Sequence, residues 1–225
     1  MESLRTISRA ALLASTLAVA GAPVVAHPHI FIDAGVTLVF DEAGKLGAVR
    51  IVWAYDDLFS LFVLEDQGLD PDFDGILTET EVARLSGFDM NWDAEFEGDS
   101  YLLLGEAALP LSRPLEWDAT YGEGRVVSTH LRALETRVAI GAEPLILQIY
   151  DPTYYTSYEI NLPVRLENAP DGCSAQVYVP EPGAASAQLR AALEEFSGSF
   201  DPFLEVGFPA VGALFSHEVR VTCAP

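Results

Sequence analysis

From His29 to Phe40 the residues are strand formers with a usable two-sided pattern, Ile30 and Ile32 on one side and His29, Phe31 and Asp33 on the other. That period of two predicts a strand. Asp41-Glu42-Ala43-Gly44 supplies turn residues and Ala48 to Ala54 reads as the returning strand, so the fold is expected to open with a hairpin. The pattern then changes. Leu58, Phe59, Leu61, Phe62 and Leu64 follow Asp56 and Asp57, which predicts an aspartate-capped helix to about Glu65, apolar on most sides and therefore largely buried. A second helix is predicted from Thr78, with Val82 and Leu85 inward and Gly87 as its stop, and helical character is expected over Phe88 to Phe96.

Short β-runs broken by Gly, Pro and Asp follow, predicting strands near Tyr101–Leu104, Arg125–Leu134, Arg137–Ile140, Leu145–Tyr150, Tyr154–Ile160 and Ala175–Val179. Pro180 to Gly183 reads as a loop before a helix over Ala185–Phe196, and Glu218–Cys223 as a last strand. The expected class is α+β: an antiparallel, sandwich-like β core, an EF-hand-like helix-loop-helix inserted at about 56–87, and a C-terminal helix.

The stretch between the two predicted helices carries the most specific chemistry. Asp70, Asp72 and Asp74 stand at alternate positions, Gly75 follows and Glu81 closes the run, filling the calcium-loop pattern D-x-[DN]-x-[DN]-G-x5-E. Calcium takes six to eight oxygens at about 2.3–2.6 Å, so a short loop must turn several carboxylates and a carbonyl inward. The carbonyl of Ile76, the Thr78 side chain and both oxygens of Glu81 complete the expected set. Thr78 and Glu81 also form a capping-box pair, which explains the same residues without an ion. No second loop of this kind occurs, so weak binding is expected, about 0.1–1 mM as in extracellular modules.

An exported chain fits that affinity. Arg5 and Arg9 precede an apolar run from Ala10 to Ala20, and Val24-Val25-Ala26 offers small residues to a signal peptidase. Residues 1–26 are read as a signal peptide cut after Ala26, and 27–225 as a single periplasmic domain. No later apolar run has the roughly 20 residues of a membrane span. A net charge of −22 argues against nucleic acid, whose binding needs phosphate neutralisation, and favours cations as partners. Cys173 and Cys223, the two cysteines, read as a disulfide in an oxidising compartment, with copper or zinc ligation as the alternative.

Four histidines remain to be weighed. Cleavage after Ala26 would leave His27 with a free α-amine beside its imidazole and His29 two residues on, a compact nitrogen site for Ni, Co, Zn or Cu. Pro28 lacks an N–H, so a ligand set of deprotonated amides cannot form, whereas a brace of the His27 amine and imidazole can. His130, with Ser128 and Arg132, is assigned to the polar face of its strand opposite Val127 and Leu131, within reach of a surface site. His217 alternates with Val219, Val221 and Cys223 and reads as a core histidine. Asp33 and the tyrosines at 150, 154, 155 and 158 read as structural.

Taken in order, His27-Pro28-His29-Ile30-Phe31-Ile32-Asp33, Val52-Trp53-Ala54-Tyr55-Asp56-Asp57-Leu58-Phe59, the acidic loop, Tyr150-Asp151-Pro152-Thr153-Tyr154-Tyr155, Gly172-Cys173 and Val219 to Cys223 resemble the bacterial periplasmic family called domain of unknown function 1007. The resemblance spans the chain after residue 26. It implies an accessory component acting beside an inner-membrane permease of the nickel/cobalt type, hence a metal-related role. The sequence also lacks a G-x-S-x-G elbow, a glycine-rich phosphate cradle and H-E-x-x-H. The expectation is a non-enzymatic metal-binding accessory protein with a calcium loop. The alternatives are an oxidative enzyme built on a copper brace at His27 and a calcium-stabilised protein-interaction module.

Overall fold

A computed structural model describes residues 28–141, 143–181 and 211–224, with isolated positions between the last two ranges. The proposed signal peptide, His27 and most of the predicted C-terminal helix lie outside the described residues.

The chain opens with the expected hairpin: β1 (Ile30–Phe40) runs antiparallel to β2 (Leu46–Tyr55), with Val36 opposite Ile51 and Ala34 opposite Trp53. Two helices follow, α1 (Asp57–Gln67) and α2 (Glu79–Leu85). Then come β3 (Ser100–Leu104), β4 (Ala107–Ala108), β5 (Leu115–Gly122), β6 (Arg125–Val138), β7 (Leu145–Ile149), β8 (Thr156–Glu159), β9 (Val164–Glu167), β10 (Cys173–Tyr178) and β11 (Glu218–Cys223), with a 3-10 turn at Gly212–Phe215. Among the described residues these make a β-dominated protein with two sheets. One has the order β5-β6-β2-β1-β8 with β9 also on β1; the other has the order β10-β11-β7-β3-β4.

The first sheet departs from the antiparallel expectation. β8 and β9 both pair with β1 in parallel, β8 along Ile30–Asp33 and β9 along Val36–Val39. β1 thereby has hydrogen-bonded neighbours on both edges, and its alternate residues Ile32, Ala34, Val36, Leu38 and Phe40 are buried without exception. They share a core with Val49, Ile51 and Trp53 of β2 and with Leu102, Leu145, Leu147, Val219 and Val221 of the second sheet.

Further expectations are corrected by the structure. Residues 88–96 form turns and irregular backbone where a helix was expected; Asp93 there caps its own turn through Oδ1, accepting from the N–H groups of Glu95 and Phe96. The two predicted strands over 125–140 are one long strand, β6. β5 and β9 lacked a strand signature because β5 is an edge strand whose Leu115 and Trp117 face solvent, and β9 is four residues long. Helix α1 begins as predicted, with Asp56 Oδ1 accepting from Phe59 N at 2.9 Å. It is not largely buried: Val63 and Leu64 face inward, while Leu58, Leu61 and Phe62 are exposed by 76%, 56% and 59%.

Candidate functional site

The acidic loop forms where the sequence places it. Gly68, at φ +58°, ends α1 with its N–H donated to Glu65 O, and Leu69 N reaches back to Leu64 O. Asp70 then folds the loop around its own carboxylate: Oδ1 accepts from Asp74 N at 3.0 Å and Oδ2 from Gly75 N at 3.1 Å. Gly75, at φ +75°, makes the turn that a side chain would strain. As a result the carboxylates of Asp70, Asp72 and Asp74 offer ligand atoms all within 4.8 Å of one another, with Asp70 buried and the other two exposed.

Glu81 stands one step away from that group. Its Oε2 accepts from Thr78 N and Thr78 Oγ1, both at 2.8 Å, while Thr78 Oγ1 accepts from Glu81 N, so the capping box of α2 is complete. Its Oε1 accepts from Asp70 N at 3.2 Å, which holds the last residue of the loop against the first. Bonds from Thr78 and then Asp70 hold the Glu81 carboxyl below its ordinary range. The donor set is all oxygen and suits a hard ion. Glu81 would have to exchange its cap for the ion to join it.

The histidines divide. His29 is exposed at the start of β1; its N–H donates to Tyr155 O at 2.8 Å and its ring lies 4.8 Å from that of Tyr155. His217 is half-buried and its Nδ1 accepts from Ile160 N at 3.0 Å, a satisfied structural role. Asp33 is structural too, bonded to Arg125 at 2.6 Å and to Asn161 at 2.8 Å.

His130 corrects the sequence reading outright. In β6 the residues Val126, Ser128, His130, Arg132 and Leu134 point inward, and Val127 and Leu131 take the outer, half-buried side. His130 is 0% exposed, set 4.7 Å from the Trp53 ring and 5.4 Å from that of Trp92. Neither of its nitrogens has a partner, and burial, helped by Arg132, pushes its pKa down to about 3. It is a neutral interior imidazole and cannot serve a surface ion.

Around this inward stripe lies a polar cluster that the sequence did not reveal. Asp89 Oδ2 accepts from Tyr55 OH at 2.7 Å and Ser128 Oγ at 2.5 Å, while its Oδ1 is buried without a partner. Asp99 is 6% exposed and accepts from Tyr158 OH at 2.8 Å. Burial raises the Asp89 carboxyl and carries that of Asp99 to about 7, the Tyr158 bond opposing the second shift. Arg132 is solvated by the carbonyls of Ser112, Leu111 and Ser100 rather than by a carboxylate. Asp89, Asp99, Trp53, Tyr55 and Tyr158 line a cleft of about 340 Å³. Asp89 and Asp99 sit in irregular backbone, where no periodicity marks a residue as inward.

Cys173 and Cys223, directly opposite in the β10–β11 pair, are joined as a disulfide, as the sequence led us to expect. Among the described residues no helix is long and apolar enough to cross a membrane.

These features define a β-dominated, disulfide-bonded protein with an acidic loop between its first hairpin and its second sheet. The chain belongs to the family described as "Protein of unknown function (DUF1007)", which matches residues 12–223. No curated protein matches the sequence.

Proposed function

We propose that the protein is an exported, non-catalytic accessory component that binds divalent cations beside a transition-metal permease of the nickel/cobalt type. In this reading the loop from Asp70 to Glu81 takes calcium and the His27–His29 segment takes Ni, Co, Zn or Cu. The observation that carries the calcium assignment is the convergence of Asp70, Asp72 and Asp74 within 4.8 Å in a loop whose backbone turns at Gly75. Calcium bound there would join the two helices at their loop, and the exposed His29 leaves β1 as a donor for a softer ion.

The test uses protein processed in its host, with the amino terminus established by mass. Calcium at about millimolar concentration should raise the melting temperature of wild type and not that of Asp72→Ala/Asp74→Ala. Nickel, cobalt, zinc and copper titrations should show a site that His29→Ala weakens. A calcium-independent melting curve sinks the loop assignment, and equal metal binding by wild type and His29→Ala sinks the amino-terminal one.

A second reading has its own support: the apolar side chains flanking the loop. Leu58, Leu61 and Phe62 of α1 are exposed, as are Phe73 at 86% and Ile76 at 71% in the loop, and large apolar side chains turned to water offer contact area to a partner. A calcium-stabilised module would place this surface against a partner protein. Phe62→Ser/Phe73→Ser should then abolish partner capture and leave calcium binding unchanged.

A further inference from the structure

The cleft between Asp89 and Asp99 is separate from the acidic loop and has features that neither packing nor the calcium reading accounts for. Its walls are aromatic and aliphatic: Trp53, Tyr55, Phe96 and Tyr158, with Ile30 and Ile32 from β1. Three acidic residues line it, Asp89, Asp99 and Asp151. None of the ion pairs among the described residues, Arg50–Glu116, Arg125–Asp33, Arg137–Asp41 and Arg220–Glu218, involves these three; Arg132, held by backbone carbonyls, favours the charged form of Asp99 without pairing with it. Two of the lining residues also carry a buried polar atom that the fold leaves unbonded: the indole Nε1–H of Trp53, a residue 3% exposed, and Oδ1 of Asp89. Buried polar groups are nearly always bonded, so these two residues are held at a cost that their packing alone does not repay.

We propose that this cleft is a binding site for a small organic cation, a protonated amine whose charge meets Asp89 and Asp99 and whose carbon chain lies against the aromatic walls. The volume is that of a small-molecule site. Ammonium groups over aromatic faces gain cation–π attraction, and the gain grows when water is excluded. A bare divalent ion fits less well. Among the described residues, three metal-ligating side chains approach within 4.8 Å of one another at Asp70, Asp72 and Asp74, and no such group occurs at the cleft. Asp151 contributes field rather than contact, since its two oxygens already accept from Thr153 and Thr156.

Putrescine and its uncharged isostere 1,4-butanediol test the assignment, titrated into the whole processed protein at pH 8 with tryptophan fluorescence and calorimetry as readouts. Putrescine is expected to bind at about millimolar affinity or tighter, with a fluorescence change from the Trp53 environment, and butanediol not to bind. Asp99→Asn and Asp89→Asn should each weaken putrescine about tenfold or more, and Phe96→Ala, a change in an irregular segment that leaves both sheets intact, about threefold or more. Asp72→Ala should leave putrescine binding unchanged, which separates this site from the calcium loop. Equal binding of diamine and diol overturns the proposal, as does no binding at about 10 mM. So does undiminished binding by Phe96→Ala together with a folded Asp99→Asn. Calcium or nickel competing out putrescine in the Asp72→Ala background assigns the cleft to metal and overturns it too.

Discussion

Tyr158 donates its hydroxyl to Asp99 at 2.8 Å, and this bond ties β8 of the first sheet to the residue that precedes β3 in the second. Tyr55 and Asp89 repeat the arrangement at 2.7 Å, joining β2 to the segment after α2. Two tyrosine–carboxylate bonds thus span parts of the chain far apart in sequence, beside the inward polar stripe of Ser128, His130 and Arg132.

The first consequence concerns pH. Asp99 has its carboxyl raised from 3.8 to about 7, chiefly by burial. Between those values the folded protein keeps a proton that the unfolded chain has released, so this group's contribution to stability falls as pH rises from 3.8 to about 7. Asp99→Asn, neutral at every pH, should flatten that part of the profile. Thermal melts of both proteins at half-unit steps check it; parallel profiles would refute the assignment.

His130 acts in the opposite sense over an overlapping range. Its pKa drops from 6.5 to about 3, so on acidification the unfolded chain takes up a proton that the buried ring refuses, and stability is lost as pH falls between those values. His130→Leu should resist acid better than wild type. At pH 8 it should be neutral or about 1 kcal/mol more stable, because two unpartnered ring nitrogens are replaced by carbon of similar volume. Urea midpoints at pH 4.5 and 8 measure both effects.

Burial also separates two leucines that look alike in sequence. Leu38 in β1 is 0% exposed and Leu61 in α1 is 56% exposed. Leu38→Ala should cost about 2–5 kcal/mol, and Leu61→Ala should stay within about 0.5 kcal/mol. A large loss at Leu61 in chemical denaturation would mean that α1 is packed against something.

Thr78 caps α2 from one side of the box and Glu81 from the other. Thr78→Ala should cost about 1 kcal/mol, and Thr78→Ser should recover most of it, since a hydroxyl still meets the Glu81 N–H. Denaturation without divalent ions isolates the cap from any ion in the loop.

Much of this architecture was legible because local signals and tertiary packing agree. The alternation of Ile30 to Phe40 gave β1, Asp56 gave the start of α1, and the Asp70–Gly75 spacing gave a loop whose carboxylates do converge. Legibility failed where polarity and direction part company. Ser128, His130 and Arg132 look like an outer face, yet β6 turns them inward because they share a side with Val126 and Leu134, and bonds to Asp89 and to backbone carbonyls satisfy Ser128 and Arg132. Conversely, the apolar run of α1 looks buried, but a single helix lying over β6 can bury one stripe, and the rest faces water. The parallel pairing of β8 and β9 with β1 is a long-range choice that no local pattern encodes.

The bond between Cys173 and Cys223 makes a covalent ring of everything between them. A protease that nicks the chain once inside that ring linearises it without shedding a fragment. The two pieces would run as one band on a non-reducing gel and part only when thiol is added, so β11 would keep its place beside β7 after such a cut.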